Sequence, residues 1–205
     1  MTGSSLHDIS LARFKNFFPD SPRVSFGDDF YVMDIKLSHQ IQPLGHPCRF
    51  DGYMLLYCVK GRIRLNVNLT EVELKENMML VNVPGNVIKV NQLSDDGKGI
   101  NYIVVAMTKE FVSKLPVDVS KVFTDGLTLV GTPVMKVGPD YAEHFHQHLK
   151  LISKVIGSGV QHKKELVNTL AAAVFYLISG LWAEAVNKRS DAESMPASRS
   201  RLIFE

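Results

Sequence analysis

The stretch from residue 50 to residue 90 constrains the fold of this 205-residue chain more than any other. Short runs within it alternate apolar and polar side chains, as Ile63, Leu65 and Val67 do with the arginines and asparagines between them. Alternation with a period of two predicts strands, and turn residues separate the runs at close, even spacing. Regular short strands of this kind predict a β-sandwich or a small β-barrel.

The turn residues between these runs are specific as well. Gly61 can supply the positive φ of a tight hairpin, and Glu76-Asn77 occupies the equivalent place one strand later. Pro84-Gly85 fits the central positions of a type II turn. Four strands joined by such turns form one half of a double-stranded roll.

This pattern resembles the cupin core of the AraC-type transcriptional regulators, most specifically at residues 58–61 (Cys-Val-Lys-Gly) and 83–85 (Val-Pro-Gly). In that family a cupin-like barrel is followed by two helices, a linker and a DNA-binding helix-turn-helix domain. The resemblance covers most of residues 20–190. It implies an α+β chain, in which a cupin-like double-stranded β-roll (jelly-roll barrel) precedes two long α-helices.

The predicted organisation of the chain follows this order. We expect an N-terminal arm or short helix at 1–22, the barrel at 23–137, a two-helix dimerisation segment at 138–188 and a linker toward a missing DNA-binding domain at 189–205. The apolar period changes from 2 to 3.6 at Pro139, and proline suits the first turn of a helix.

The second helix, predicted at 162–188, is apolar almost all round and therefore has two faces to bury. One stripe consists of Leu166, Leu170, Val174, Leu177 and Leu181. We predict that this stripe covers the barrel. Phe175, Ile178 and Trp182 are then predicted to face the partner in a homodimer, because large aromatic residues are enriched at interfaces.

Composition and termini restrict the class of partner and the compartment. The net charge of +2 provides no strong basic field, so DNA binding is expected only through a domain not present in this chain. Cys48 and Cys58 do not make a disulfide framework, and the N-terminus lacks a signal peptide, which predicts a cytoplasmic protein. A membrane-spanning second helix is the alternative, but Asn168, Ser179 and Glu184 interrupt its apolar run, so no membrane partner is expected.

Histidine placement argues against an enzymatic cupin. Such enzymes usually hold a metal through an HxH pair, a glutamate and a later histidine, yet residues 53–68 and 86–90 contain no histidine. We therefore predict no metal, no cofactor and no enzymatic activity. His144 and His148, at i and i+4 of the first helix, could bind a metal, but no third ligand is identifiable.

What remains is a barrel able to hold one small ligand. Stacked aromatic rings and hydrogen-bonding side chains bind polar molecules, and the candidates are Arg49, Tyr53, Tyr57, Arg62, Arg64 and Tyr102. We expect an effector-sensing and dimerisation domain that binds a small-molecule effector, with sugars as one candidate class, and controls an absent helix-turn-helix domain. The alternatives are a metal-poor cupin enzyme acting on a small polar substrate and a dimerisation module without ligand.

Overall fold

A computed structural model of the chain describes residues 7–37, 45–94, 99–119, 121–122 and 133–194, with the backbone alone for Leu37 and residues 186–194. The strands of the described part are β1 (His7–Ile9), β2 (Arg23–Phe26), β3 (Phe30–Leu37), β4 (Cys48–Phe50), β5 (Tyr53–Lys60), β6 (Arg62–Val67), β7 (Thr70–Lys75), β8 (Met78–Asn82), β9 (Val87–Ser94), β10 (Ile100–Met107) and β11 (Val134–Lys136). The helices are α1 (Leu11–Lys15), α2 (Lys109–Ser113), α3 (Pro139–Gly157) and α4 (Lys163–Ser194).

The strands form two sheets that face each other. One has five strands in the order β1-β4-β9-β6-β7, and the other has six in the order β11-β8-β5-β10-β3-β2. The pairing of β1 with β4 is parallel, and the other pairings are antiparallel. The predicted fold class is confirmed: a double-stranded β-roll precedes two long helices. We call the space between the sheets the lumen.

Tight turns join the central strands where the sequence predicts them. Gly61, between β5 and β6, has φ +92° and Gly85, between β8 and β9, has φ +94°. Asn77 takes the same left-handed region at φ +59°, which asparagine tolerates better than most residues. These three turns are not hairpins, because each joins strands of different sheets: β5 pairs with β8 and β10, whereas β6 pairs with β7 and β9. The tight hairpin predicted at Gly61 is therefore wrong, and the turn carries the chain from one sheet to the other.

The central strands of the six-stranded sheet are buried on both faces, whereas Asp34 and Lys36 at the outer face of β3 are partly exposed. Along β5, Met54 and Cys58 belong to the core in the lumen, whereas Leu55 and Tyr57 belong to a second core formed with α3 and α4. Alternation in a strand produces this division, because successive side chains point to opposite faces. The near-continuous apolar runs of β5, β8 and β10 are the sequence counterpart of this double burial.

The two long helices form an antiparallel pair over the outer face of that sheet. Helix α3 begins at Pro139, and its residues Phe145, Leu149 and Ile152 are buried. The ring nitrogen Nε2 of His148 lies 2.6 Å from the Leu170 carbonyl oxygen, which ties α3 to α4. Helix α4 continues to residue 194, so residues 189–194, predicted as linker, are helical; residues 195–205 lie outside the described part.

The structure contradicts the predicted partner-facing residues of α4. Phe175 and Ile178 are 0% exposed and Trp182 is 2% exposed, all within the core that this chain forms by itself. The Phe175 ring meets Tyr53 of β5 edge-on, with 6.3 Å between centroids. The three residues predicted to face a partner therefore anchor α4 to the sheet. The stripe predicted to cover the barrel does so in part, since Val174 and Leu181 belong to the core whereas Leu166 is 38% exposed.

The apolar character of α4 is also compatible, by length and composition alone, with a helix that crosses a membrane over Lys163–Ala185. Core helices share this property. Here Val167, Ala171 and Val174 are buried against the rest of the chain, which accounts for the apolar run.

Candidate functional site

The lumen contains a cavity of about 60 Å³. Met54, Leu80 and Val104 line it from the six-stranded sheet, and Leu65 and Ile88 line it from the five-stranded sheet. Each of these side chains is an inward-facing member of an alternating strand. The cavity wall is therefore apolar for the same reason that the strands form a roll.

Helix α1 closes the lumen. The Ser10 hydroxyl oxygen accepts a hydrogen bond from the Arg13 backbone N–H at 3.2 Å, which caps the helix. Phe14 and Phe18 then line the cavity beside the strands. The Phe14 ring lies 5.4 Å from Phe18 and 5.5 Å from Phe50, measured between centroids, in tilted and edge-on geometries that aromatic pairs favour.

Tyr102 is the polar side chain of the cavity wall. It is 2% exposed, and its hydroxyl makes no hydrogen bond with the described residues. Burial raises the pKa of Tyr102 well above its usual range, and the Cys58 thiol, opposite it on β5, adds to the effect. The thiol is close enough to influence this pKa without the geometry of a hydrogen bond. A buried hydroxyl in this state lacks the partner that water would provide.

A second polar group, the side chain of Asn82, lies on the lumen side of the same sheet. It follows Leu80 at the next inward position of β8 and is 0% exposed, and neither its amide nitrogen nor its amide oxygen has a partner in the described part of the chain. The strand register places it in one transverse row with Met54, Ala106 and Tyr31. An unpaired buried amide costs about 1–3 kcal/mol, so this group is strongly disposed to accept a partner.

Cys58 lies beside this site but lacks the properties of a nucleophile. Burial raises the pKa of its thiol to about 11. Its sulfur donates to the Gly61 carbonyl oxygen at 3.3 Å. A catalytic cysteine needs the opposite shift, because the thiolate is the reactive form.

Among the predicted ligand-binding residues, Tyr102 is the one that the structure places in the lumen. Tyr53 and Tyr57 lie on the opposite face of β5, toward the helices. The Tyr57 hydroxyl donates to Asn77 Oδ1 at 3.0 Å, and its ring contacts Phe145 and His146 edge-on. Both tyrosines therefore belong to the core under α3 and α4.

The three predicted arginines point away from the lumen. Arg49 lies 3.8 Å from the Asp8 carboxylate on the neighbouring strand β1. Arg62 and Arg64 approach the same Glu73 oxygen at 3.6 and 3.5 Å, on the outer face of the five-stranded sheet. Because Ile63 and Leu65 face inward, alternation turns the arginines outward, and they cannot hold a ligand in the barrel.

Sequence reasoning missed Phe14, Phe18 and Asn82 as lumen residues. The helical spacing of the N-terminal aromatics was a usable signal for the first two. Asn82 was concealed within the apolar run of β8, where a single polar residue in a buried strand was the available signal.

The metal prediction concerns histidines and carboxylates. Within the described ranges, no group of three or more histidine, cysteine, aspartate or glutamate side chains is arranged to hold a metal ion. His144 and His148 lie on α3 as predicted, with His148 hydrogen-bonded to the Leu170 carbonyl. The absence of a metal remains a prediction.

Comparison with known proteins found similar solved structures but no similar sequences. No protein-family model matches the chain, and no curated protein sequence matches it. The AraC-like transcriptional activator CuxR is similar in structure, with 10% identity, a TM-score of 0.48, and coverage of 88% of this chain and 68% of that one. The cupin domain of Cnp3 from Schizosaccharomyces pombe is also similar, with 14% identity, a TM-score of 0.35, and coverage of 46% and 67% respectively.

A cupin superfamily protein from Desulfitobacterium hafniense shows 8% identity and a TM-score of 0.36, with coverage of 43% of this chain and 76% of that one. AraC-type regulators and cupins, which the sequence resembles, are therefore also represented among the similar solved structures. The fold itself rests on the strand order and pairing given above.

Proposed function

We propose that this chain is the effector-sensing and dimerisation region of an AraC-type transcriptional regulator. A small molecule in the lumen would control a separate helix-turn-helix domain, and this region would have no enzymatic role. The observation that supports the proposal is the double burial of the six-stranded sheet. One face of that sheet lines the lumen, and the other carries α3 and α4.

This arrangement supplies a physical route from the lumen to the helices. On β5, Met54 and Leu56 line the cavity, while Leu55 and Tyr57 pack under the helices. A ligand that displaces the inward side chains shifts a strand whose outward side chains hold α3 and α4. Closely packed interiors transmit such shifts. The ligand must also bind the two helix arrangements with different free energies for the shift to act as a signal.

The exposed side of the helix pair is the candidate dimer surface. We call it the hairpin face: the groove lined by Tyr141, His144, Gln147, His148, Leu151, Ala173, Tyr176 and Leu177. Leu151 is 47% exposed and Tyr176 is 59% exposed, and exposed large apolar residues grouped in this way mark interaction sites.

Charge along the hairpin face favours a second copy of this chain as its partner. Asp140 and Glu143 lie at the start of α3, whereas Lys150 and Lys154 lie in its second half, and all four are exposed. Lys164 adds to the basic end, although Glu165 is its neighbour. An antiparallel two-fold pairing sets the acidic end of each copy against the basic end of the other, around an apolar centre.

The test is a ligand-stabilisation screen of the chain with a metabolite library, read by thermal unfolding, with hydrogen exchange measured on any compound that stabilises it. We expect at least one compound to raise Tm and to slow exchange in both β5 and α4. Stabilisation without any change in α4 would contradict the coupling. The matched dimer test is sedimentation of the wild type and of Tyr176→Glu at micromolar concentration.

A dimerisation module without ligand is the second candidate, and the small volume of the cavity favours it. A wild type that is dimeric, together with a library in which nothing stabilises the chain, would support this alternative over the sensing function.

A further inference from the structure

We infer that the lumen takes an uncharged, mainly apolar molecule with one neutral hydrogen-bonding group, a phenol or a short alcohol, rather than a sugar or a charged metabolite. The inference rests on the proposed function, since it names the chemical class of effector for the same site.

Cavity size and lining exclude a sugar. The cavity measures about 60 Å³. An engineered apolar cavity of roughly 150 Å³ accommodates benzene, which has six heavy atoms, so even a phenol requires side chains to move. A hexose, with about twice as many heavy atoms as benzene, requires a much larger expansion. Each sugar hydroxyl that faced Leu80, Leu65 or Ile88 would also lose its hydrogen bonds to water without replacement. A compact apolar molecule avoids the loss of hydrogen bonds and needs the smaller expansion, for which the flexible side chain of Met54 is suited.

Charge excludes ions for a separate reason. The described residues that line the cavity include no lysine, arginine, histidine, aspartate or glutamate, and Asn82 is the buried polar or charged residue that the described part of the chain contains. A carboxylate, phosphate or ammonium group would therefore enter without a counter-charge, and burial of an unpaired ion is far more costly than burial of a neutral group.

The Tyr102 hydroxyl specifies the single polar group. It lines the cavity and is buried without a hydrogen bond of good geometry, so a ligand hydroxyl can bond to it while the neighbouring Cys58 thiol keeps its own bond to the Gly61 carbonyl. Asn82 lies in the row of Ala106, four residues along β10 from Tyr102, a separation of about 13 Å at the usual rise per residue. One small molecule reaches only one of these groups, and Tyr102 is the one at the cavity wall.

The test uses 4-fluorophenol, fluorobenzene, 4-fluorobenzoate and glucose as probes of the whole chain. Binding of the three aromatic probes is followed by fluorine NMR titration and that of glucose by the shift in Tm. We expect saturable binding of 4-fluorophenol, weaker binding of fluorobenzene, and none of the other two. Tyr102→Phe should weaken 4-fluorophenol about threefold to tenfold, the range of one hydrogen bond, and leave fluorobenzene unchanged.

Two further variants locate the binding in the lumen with changes of opposite sign. Leu80→Ala enlarges the cavity and should tighten the binding of both neutral probes. Val104→Ile adds one methylene to the wall and should weaken both. A purely structural effect of Tyr102→Phe would alter the two neutral probes alike.

The inference is overturned if 4-fluorophenol fails to saturate, or if it binds wild type and Tyr102→Phe equally. It is also overturned if glucose or 4-fluorobenzoate binds and Val104→Ile weakens that binding. In that case the ligand class is wrong, but the proposed binding of an effector in the lumen is supported. If none of the probes and no library compound stabilises the chain, the proposed function fails as well.

Discussion

Two substitutions on helix α4, only two positions apart, are expected to have different consequences. Ile178→Glu should unfold the chain, because Ile178 is 0% exposed and packs in the core between α4 and the six-stranded sheet. Tyr176→Glu should leave the fold intact, because Tyr176 is 59% exposed on the hairpin face. The pair introduces the same charge into the same helix, so helix propensity and net charge are matched.

The magnitudes follow from burial. Loss of the buried isoleucine side chain removes about 1.5–3 kcal/mol of hydrophobic stabilisation. An unpaired carboxylate in its place adds a desolvation penalty of several kcal/mol, or must be protonated at a comparable cost. The sum is about 5 kcal/mol or more, against a typical domain stability of about 5–15 kcal/mol. At Tyr176 the change in folding stability should stay within about 0.5 kcal/mol.

Circular dichroism and sedimentation velocity together measure both outcomes. Ile178→Glu should lose its cooperative thermal transition, whereas Tyr176→Glu should keep the wild-type transition. If the hairpin face pairs two copies, Tyr176→Glu should also sediment as a monomer where the wild type is dimeric. A folded Ile178→Glu variant with an unchanged Tm would refute the burial argument, and would return Ile178 to the position of a solvent-facing or partner-facing residue.

Three further outcomes are expected from local geometry. A Cβ at Gly52 would lie 2.6 Å from the Met107 carbonyl oxygen, so Gly52→Ala should lower the free energy of unfolding, measured in urea, by about 1–3 kcal/mol. The control is Gly157→Ala, which has open space around it and should be neutral or slightly stabilising. Thr108→Ala removes the α2 cap and should cost about 1 kcal/mol by the same measurement; an unchanged midpoint would show that the cap contributes nothing. Burial raises the pKa of the Cys58 thiol from 9.0 to about 11, so the stability that this thiol contributes is complete below pH 9 and is lost as the pH rises to 11. The Tm of the wild type should therefore fall over this range by an amount that Cys58→Ala does not show.

The positions of the central strands and turns could be predicted, because each turn contains residues that favour its backbone conformation. Gly61 and Gly85 adopt the positive φ that their positions require, and the strands between them begin and end where the alternation does. The parallel pairing of His7 with Cys48 could not be predicted, because it joins residues 41 positions apart and no local pattern specifies it.

The exposed side of α4 could have been recognised from the positions at which its polar residues recur, rather than from a comparison of its apolar stripes. Glu165, Thr169 and Tyr176 are exposed and follow one another at helical spacing. The prediction compared two apolar stripes instead, and both are large enough to be core. Leucine content alone cannot distinguish a face that packs on a sheet from one that meets a partner.

Five of the six predicted ligand-binding residues lie outside the lumen, and Tyr102 lies within it. In a sheet that is buried on both faces, a period of two divides side chains into two sets but does not say which set faces the lumen. The sequence therefore could not show that Met54 faces the lumen and Tyr57 faces the helices. Arg62 and Arg64 were different, since the inward position of Ile63 already required them to point outward.

The two sheets of the roll should respond unequally to a ligand. Strand β5 lies between β8 and β10 and has a packed core on each side, so displacement of Met54 or Leu56 cannot be absorbed without repacking on the helix side. The five-stranded sheet presents exposed ion pairs such as Arg64 with Glu73 on its outer face, where side chains can move at little cost. If the lumen binds an effector as we propose, the resulting strain should be relieved on the five-stranded side and transmitted on the six-stranded side. We therefore expect hydrogen exchange to change in α4 and not in strands β6 and β7 of the five-stranded sheet.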